Sequence, residues 1–305
     1  MKKRIAAVLL AVCLLIPCCI TCFAQEKPYC LHENAEWELA FPPTPVTDSY
    51  YKRVCPDCGM RQTAKKARTS YAERIFEILS GLVFIFEKPA FSDSLAITAH
   101  TGPGEISMNT MFSLRYQLQS GADIVEFDLN LNSDGVAVMT HGEPDKAKVT
   151  VDEAFALIAK YMDTKVNVDV KNVNAVSQAQ ELAIKHGILD RIFYTGVSAG
   201  DVEKVKAMSP LVPYYLNCSG ADGEEECAKL CDYAVSLGAI GINMNYSSYT
   251  PELSAAARER GLLISLWTVN KPSEMRKYIG YDIDNITTEF PFFLYSMTGG
   301  FKDKF

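Results

Sequence analysis

Six residues in one part of the chain could do chemistry together: His100, Glu126, Asp128, His141, Asp169 and Lys171. Each lies in, or at the end of, a short apolar and β-branched run: Leu95–Ala99, Gly121–Asp128, Asp134–His141 and Val166–Lys171. Such runs read as buried strands, where a charge is costly unless it is paired or bound to a metal. In Glu126-Phe127-Asp128, residues two apart share a strand face. Both carboxylates therefore project together and need a common cation. Asp169, His100 and His141 at neighbouring strand ends complete a set of three carboxylates and two imidazoles. That set suits one hard divalent cation on oxygen ligands, Mg²⁺ or Ca²⁺, beside an acid/base pair.

The elements that must position these groups repeat along the chain. Strands are predicted near Leu95–Ala99, Ala122–Leu129, Lys165–Val170, Arg191–Thr195, Val212–Asn217, Ala239–Asn243, Leu262–Val269 and Ile283–Thr287. Helical patterns separate them, among them Val151–Tyr161, Ala175–His186, Gly200–Met208, Glu224–Leu237 and Thr250–Arg260. Eight strand-helix units over residues 95–305 predict an α/β fold, the closed (β/α)8 TIM barrel, with functional groups at the C-terminal ends of its strands. The chain has 305 residues, 48% of them hydrophobic, which is enough for one large core. A net charge of −7 argues against nucleic acid as a partner. A small phosphorylated substrate stays open, because a bound cation outweighs diffuse surface charge.

Upstream of the barrel the sequence changes character. Residues 1–24 read as a cleaved secretory signal, with Lys2, Lys3 and Arg4 before the apolar run Ile5–Ile20. The protein is therefore expected to be secreted or extracytoplasmic. Lipoprotein anchoring is disfavoured, because Pro17 and Thr21 before Cys18 and Cys22 fit a lipobox poorly. Residues 25–70 are polar, with few strand or helix signals, and hold Cys30, His32, Cys55 and Cys58. This is the ligand set of a small zinc ribbon, preferred here over a disulfide from Cys55 to Cys58 or from either to Cys30. Either device would staple a segment too small for its own core. Residues 71–94 read as a helix and linker, apolar at Tyr71, Ile75, Phe76, Ile78, Leu79, Leu82 and Val83. That helix would cover the barrel bottom, and its end, Gly81–Phe86, could instead touch a membrane surface. Cys218, Cys227 and Cys231 bring the mature chain to six cysteines, open to a bridge from Cys218 or to a further metal. His186 falls outside these motifs and reads as a surface residue. The oligomeric state is left open.

Several of these stretches together resemble the glycerophosphodiester phosphodiesterase family. The shared pieces are His100-Thr101-Gly102, Ser107-Met108-Asn109-Thr110, Gly121–Asp128, Asp134–His141, Asp169-Val170-Lys171, Trp267-Thr268-Val269-Asn270 and Ile286–Pro291. The resemblance implies an exported, metal-dependent hydrolase that cleaves glycerophosphodiesters to glycerol 3-phosphate and an alcohol. Glu126, Asp128 and Asp169 would hold the cation, and His100 and His141 would exchange protons. Lys171 would face the phosphate, Trp267 would wall the pocket, and Asn270 would add a polar contact. Asn109 suits either the family motif or a local cap. The small domain that the family often inserts after its second histidine is absent, since only 27 residues separate His141 from Asp169.

The departures are specific. Thr101 stands where the family has Arg, Met108 where it has Glu, Gly142 where it has Asp, and Asp169 where it has Glu. The first and last are similar to the sphingomyelinase D-type phospholipases. Two alternatives follow: a phospholipase D-like enzyme forming a cyclic phosphate from lysophospholipid or sphingomyelin, or a catalytically degenerate barrel that only binds.

Overall fold

In the computed structural model the described residues are 32, 34–41, 49–66, 95–102 and 108–298. The expected signal sequence, Cys30 and the helix expected from Ser70 to Phe86 lie outside them. Three short strands come first: β1 (Glu38–Phe41), β2 (Ser49–Val54) and β3 (Arg61–Lys66), antiparallel in the order β1-β2-β3. The sequence carries few strand signals over these residues. Strand periodicity is faint there because the buried side of the sheet carries Arg53, Cys55 and Ala64 rather than large apolar residues.

The barrel strands are β4 (Ala96–Ala99), β5 (Ile124–Leu131), β7 (Lys165–Val170), β8 (Ile192–Val197), β9 (Tyr214–Asn217), β10 (Gly241–Asn245), β11 (Leu263–Trp267) and β12 (Asn285–Thr288). They pair in parallel in chain order, and β4 closes the ring against both β5 and β12. A hairpin strand, β6 (Ala137–Met139), adds antiparallel to the end of β5. Helices fill the connections: α1 (Met111–Gln119), α2 (Val151–Ile158), α3 (Val176–His186), α4 (Val202–Met208), α5 (Glu224–Leu237), α6 (Pro251–Glu259), α7 (Pro272–Tyr278) and α8 (Pro291–Thr298). Between His141 and Asp169 lie only a single turn and α2, so no inserted domain is present.

Alternation along each strand builds two environments. On β5 and β7, Val125, Phe127, Leu129, Val166, Val168 and Val170 enter the core shared with the helices. There Phe127 meets Phe155 of α2 edge-on at 5.8 Å. Each such side chain contributes about 1.5–3 kcal/mol by leaving water. The intervening residues form the barrel interior, and they grade from apolar to charged. Ile124, Phe193 and Tyr215 make a separate apolar cluster at the N-terminal ends of the strands. A hydrogen-bonded belt joins Thr98, Asn285 and Ser265, and Asn167 pairs with Thr195. Glu126, Asp128 and Asp169 occupy the opposite, C-terminal mouth.

The small sheet docks at the N-terminal pole. The Lys65 N–H donates to Lys160 O (2.6 Å), and the Met162 N–H donates to Lys65 O (3.3 Å). Arg53, only 5% exposed, donates to Asp190 Oδ2 and to Gly187 O, both at 3.3 Å. Gln62 Nε2 also donates to Gly187 O, at 2.9 Å. Gly187 terminates α3 with φ +66°, and a β-carbon there would sit 2.1 Å from Gln62 Nε2.

The cysteine expectations need correction. Cys218, Cys227 and Cys231 are free thiols, and they form no metal-holding group among the described residues. Cys227 and Cys231 are buried on α5, where the Cys227 thiol donates to Ala221 O instead. Cys58 is also free, so no Cys55–Cys58 bridge exists. His186 is half-buried, with Nε2 2.6 Å from Asp152 Oδ1.

Candidate active site

Two adjacent strands set the core of the site. Parallel register pairs Asp128 on β5 with Asp169 on β7, and Glu126 lies two residues before Asp128 on the same face. One oxygen from each of the three carboxylates lies within 4.8 Å of the others. Glu126 and Asp128 are each 2% exposed. The neighbouring backbone and amides hold them in place. Glu126 Oε2 accepts the Thr101 N–H at 2.7 Å, and the Glu126 N–H donates to Gln117 Oε1 at 2.7 Å. Asn109 grips Asp128 at both ends, donating from Nδ2 to Oδ2 (2.6 Å) and accepting the Asp128 N–H on Oδ1 (2.9 Å). Asn109 is therefore a brace for a carboxylate rather than a helix cap.

Lys171 is the cation within this group, with Nζ 2.7 Å from Asp169 Oδ2 and 3.2 Å from Asp128 Oδ1. Burial works against its charge, yet Asp169 and Asp128 overcome this and hold its ammonium above the ordinary lysine range. One lysine does not balance three acids. Burial first, then Asp128 and Asp169, push the Glu126 carboxyl well above its ordinary value, against the opposing pull of Lys171 and the Thr101 N–H. Asp169 Oδ1 is buried with no hydrogen-bond partner. An orphaned carboxylate oxygen inside a cluster of excess negative charge fits a hard divalent cation on oxygen ligands.

Both histidines reach the same space by different routes. His100 follows β4, and its N–H donates to Thr288 O at 2.9 Å. Burial lowers its pKa, opposed by Asp128, Glu289 and Asp169. His141 is exposed at the end of the hairpin, hung from β5 by the Thr140 N–H donating to Asp128 O at 3.0 Å. The two imidazoles, the three carboxylates and Lys171 line one cavity of about 750 Å³, within the range of small-ligand sites. Trp267 walls it at 37% exposure. Its floor is neutral and polar: Asn167, Thr195, Asn217, Asn243 and Thr287.

Asn270 is the expected site residue that does not line this cavity. Its Oδ1 accepts the Glu289 N–H at 2.9 Å and the Thr288 hydroxyl at 3.3 Å, bracing the loop after β12. Gln117 and Gly196 were not legible as site residues. Gly196, at φ +73°, packs beneath Asp169, where a β-carbon would stand 2.3 Å from Asp169 Oδ1. Its N–H donates to Asn217 Oδ1.

This geometry coincides with the reach of a family match. The model of the glycerophosphoryl diester phosphodiesterase family matches residues 100–155 and 146–292, beginning at His100 itself and covering more than half of the chain. The chain belongs to the glycerophosphoryl diester phosphodiesterase family. This is a family of phosphoric diester hydrolases. A glycerophosphodiester phosphodiesterase of Bacillus subtilis is 20% identical over 263 residues, covering 68% of this chain and 88% of that one. One from Caldanaerobacter subterraneus is 22% identical over 236 residues, covering 64% and 94%. A solved phosphodiesterase from Oleispira antarctica, in complex with the product sn-glycerol-3-phosphate, superimposes with a TM-score of 0.58 at 19% identity, covering 67% and 96%. The Parabacteroides distasonis glycerophosphodiester phosphodiesterase gives 0.57 at 18%, covering 68% and 98%. At these identities the solved structures speak for the barrel fold. The small sheet and His32 precede the first residue of the family match.

Proposed function

We propose that this member hydrolyses glycerophosphodiesters, releasing glycerol 3-phosphate and an alcohol, after export across the cytoplasmic membrane. The observation that carries the reading is the three-carboxylate cluster, with its orphaned Asp169 oxygen, sharing one cavity with two imidazoles and a lysine. Glu126, Asp128 and Asp169 would hold one divalent cation, Mg²⁺ or Ca²⁺, which when bound draws charge from a phosphoryl oxygen. Asn109, Gln117 and the Thr101 N–H keep the carboxylates converged. Lys171 Nζ places a positive charge beside the phosphate.

Position divides the proton work. His100, half-buried beside the carboxylates, accepts the proton of the nucleophile on the deep side of the phosphorus. His141, at the open rim, donates a proton to the alkoxide as the phosphorus–oxygen bond to the outward-facing alcohol breaks. Trp267 and the polar floor confine the glycerol moiety. Thr101 in place of arginine leaves Lys171 as the sole lysine or arginine lining the cavity among the described residues, so weak ground-state binding of the phosphate is expected.

Phosphorus NMR of residues 25–305 with a panel of glycerophosphodiesters and lysophospholipids tests this, run with Mg²⁺, with Ca²⁺ and with chelator. Cation-dependent glycerol 3-phosphate, absent in His100→Ala and His141→Ala, supports the proposal. A cyclic phosphate from lysolipid would replace it with the phospholipase D-like reading. A folded but silent protein would make the barrel a binding module.

A further inference from the structure

We infer that His32, Cys55 and Cys58 form a structural zinc site, separate from the barrel mouth, which fixes the small sheet onto the N-terminal pole. The three ligand atoms lie within 4.8 Å of one another, and Cys58 Sγ is 3.4 Å from His32 Nδ1. Zinc–sulfur and zinc–nitrogen bonds of about 2.3 and 2.05 Å at tetrahedral angles place S and N about 3.6 Å apart. Cys58 and His32 are thus already at ligand spacing, with the Cys55 thiol close by. The soft, nitrogen-and-sulfur character of the set selects zinc over Mg²⁺ or Ca²⁺. Two of the ligands are buried, His32 at 7% and Cys55 at 2% exposure, while Cys58 is exposed and gives the ion an entry path. The turn carrying the thiols is closed by the Gly59 N–H donating to Cys55 O and the Cys55 N–H donating to Met60 O, both at 2.9 Å.

The sheet has a reason to need the metal. Among its described residues the buried apolar side chains are Cys55 and Ala64 alone, so the described side chains of these three short strands supply almost no core. The remaining buried contact is polar. Arg53 lies two residues before Cys55, on the same strand face, and carries the docking bonds to Asp190 and Gly187 O. An ion held by Cys55 fixes the end of β2 and with it the approach of Arg53 to the barrel. These contacts involve the loop after α3, which leads into the N-terminal end of β8. The site therefore acts on stability and leaves the chemistry at the opposite pole alone. The further ligand that the sequence offers, Cys30, lies outside the described residues.

The test uses the full mature chain with Co²⁺ or Zn²⁺ as the probe. Purified protein should carry one zinc that survives the double variant Asp128→Asn/Asp169→Asn. Cobalt substitution should give thiolate-to-metal charge-transfer absorption in that same variant. Cys58→Ser should lose most of that absorption and melt at a lower temperature, yet keep the barrel circular dichroism and unchanged kcat/KM below its melting point. Because Cys55→Ser disturbs a buried position, the exposed Cys58 carries the decision, with His32→Ala as a second variant. Zinc-free protein with Cys58 in a disulfide by mass spectrometry would overturn the inference. So would a cobalt–thiolate band unchanged by Cys58→Ser.

Discussion

The two poles of the barrel handle buried charge in opposite ways. At the C-terminal mouth, Glu126, Asp128 and Asp169 share one lysine, and an Asp169 oxygen is left without a partner. At the N-terminal pole, Arg53 and Arg191 are buried around Asp190 and also donate to backbone carbonyls, Arg53 to Gly187 O and Arg191 Nη1 to Tyr161 O at 2.6 Å, while Arg191 Nε has no partner among the described residues. Burial lowers the Arg191 pKa to about 10, with Asp190 opposing and Arg53 reinforcing the shift. Buried charge that donates to the chain's own carbonyls marks a joint of the fold, whereas converging like charges that open into a cavity mark a place for something the chain does not supply. The ligand sets differ in the same sense, hard oxygens at the mouth and a nitrogen with two sulfurs beneath.

The largest effect should come from emptying the mouth of its acids. Asp128→Asn is expected to lower kcat/KM by about 10³-fold or more, since a Lewis-acid centre contributes several kcal/mol; the melting temperature of the zinc-bound protein should not fall. Next, His100→Ala and His141→Ala should each cost about 10²–10⁴-fold. A p-nitrophenyl leaving group, which needs little protonation, should rescue His141→Ala and not His100→Ala. Equal rescue of both would contradict the deep-base, rim-acid division.

Much of this mouth was legible from sequence because apolar alternation and chemistry coincide there. Lys165–Val170 and Glu224–Leu237 fall on the boundaries that the pattern gives, and spacing by two placed Glu126 and Asp128 on one face. What escaped did so for physical reasons. Helix α1 turns Ser113 and Gln117 inward, which weakens its amphipathic signal. Gln117 acts by accepting the Glu126 backbone N–H and Gly196 by yielding to the Asp169 carboxylate, which no local pattern reports. The small sheet buries an arginine where an apolar residue would announce a strand, so Arg53 reads as surface until Asp190 and Gly187 appear beside it.

The lower pole supplies the intermediate effect. Arg53→Met should destabilise the protein by about 2 kcal/mol, because Asp190 and the Gly187 carbonyl lose a buried partner; thermal unfolding would measure it, and kcat/KM at low temperature should be unchanged. A smaller effect returns to the mouth. Gly196→Ala should reduce kcat/KM about tenfold by displacing Asp169, the equivalent of roughly 1.4 kcal/mol. The smallest is a stability effect. The folded-state pKa of Glu126 is raised, so its protonated form is favoured. Its contribution to the stability of cation-free protein is present below the ordinary glutamate value of 4.5 and is lost as pH rises towards the elevated one. Glu126→Gln should flatten that decline in melting temperature, and so should added Mg²⁺ in the parent.

The most direct test strips residues 25–305 of metal and returns one ion at a time, reading melting temperature and turnover together. Mg²⁺ alone should restore turnover and recover only the small, pH-dependent part of the melting temperature that Glu126 controls. One equivalent of Zn²⁺ alone should restore the melting temperature without turnover. A single ion that restores both, or Mg²⁺ that restores neither, would contradict the division of labour between the two poles.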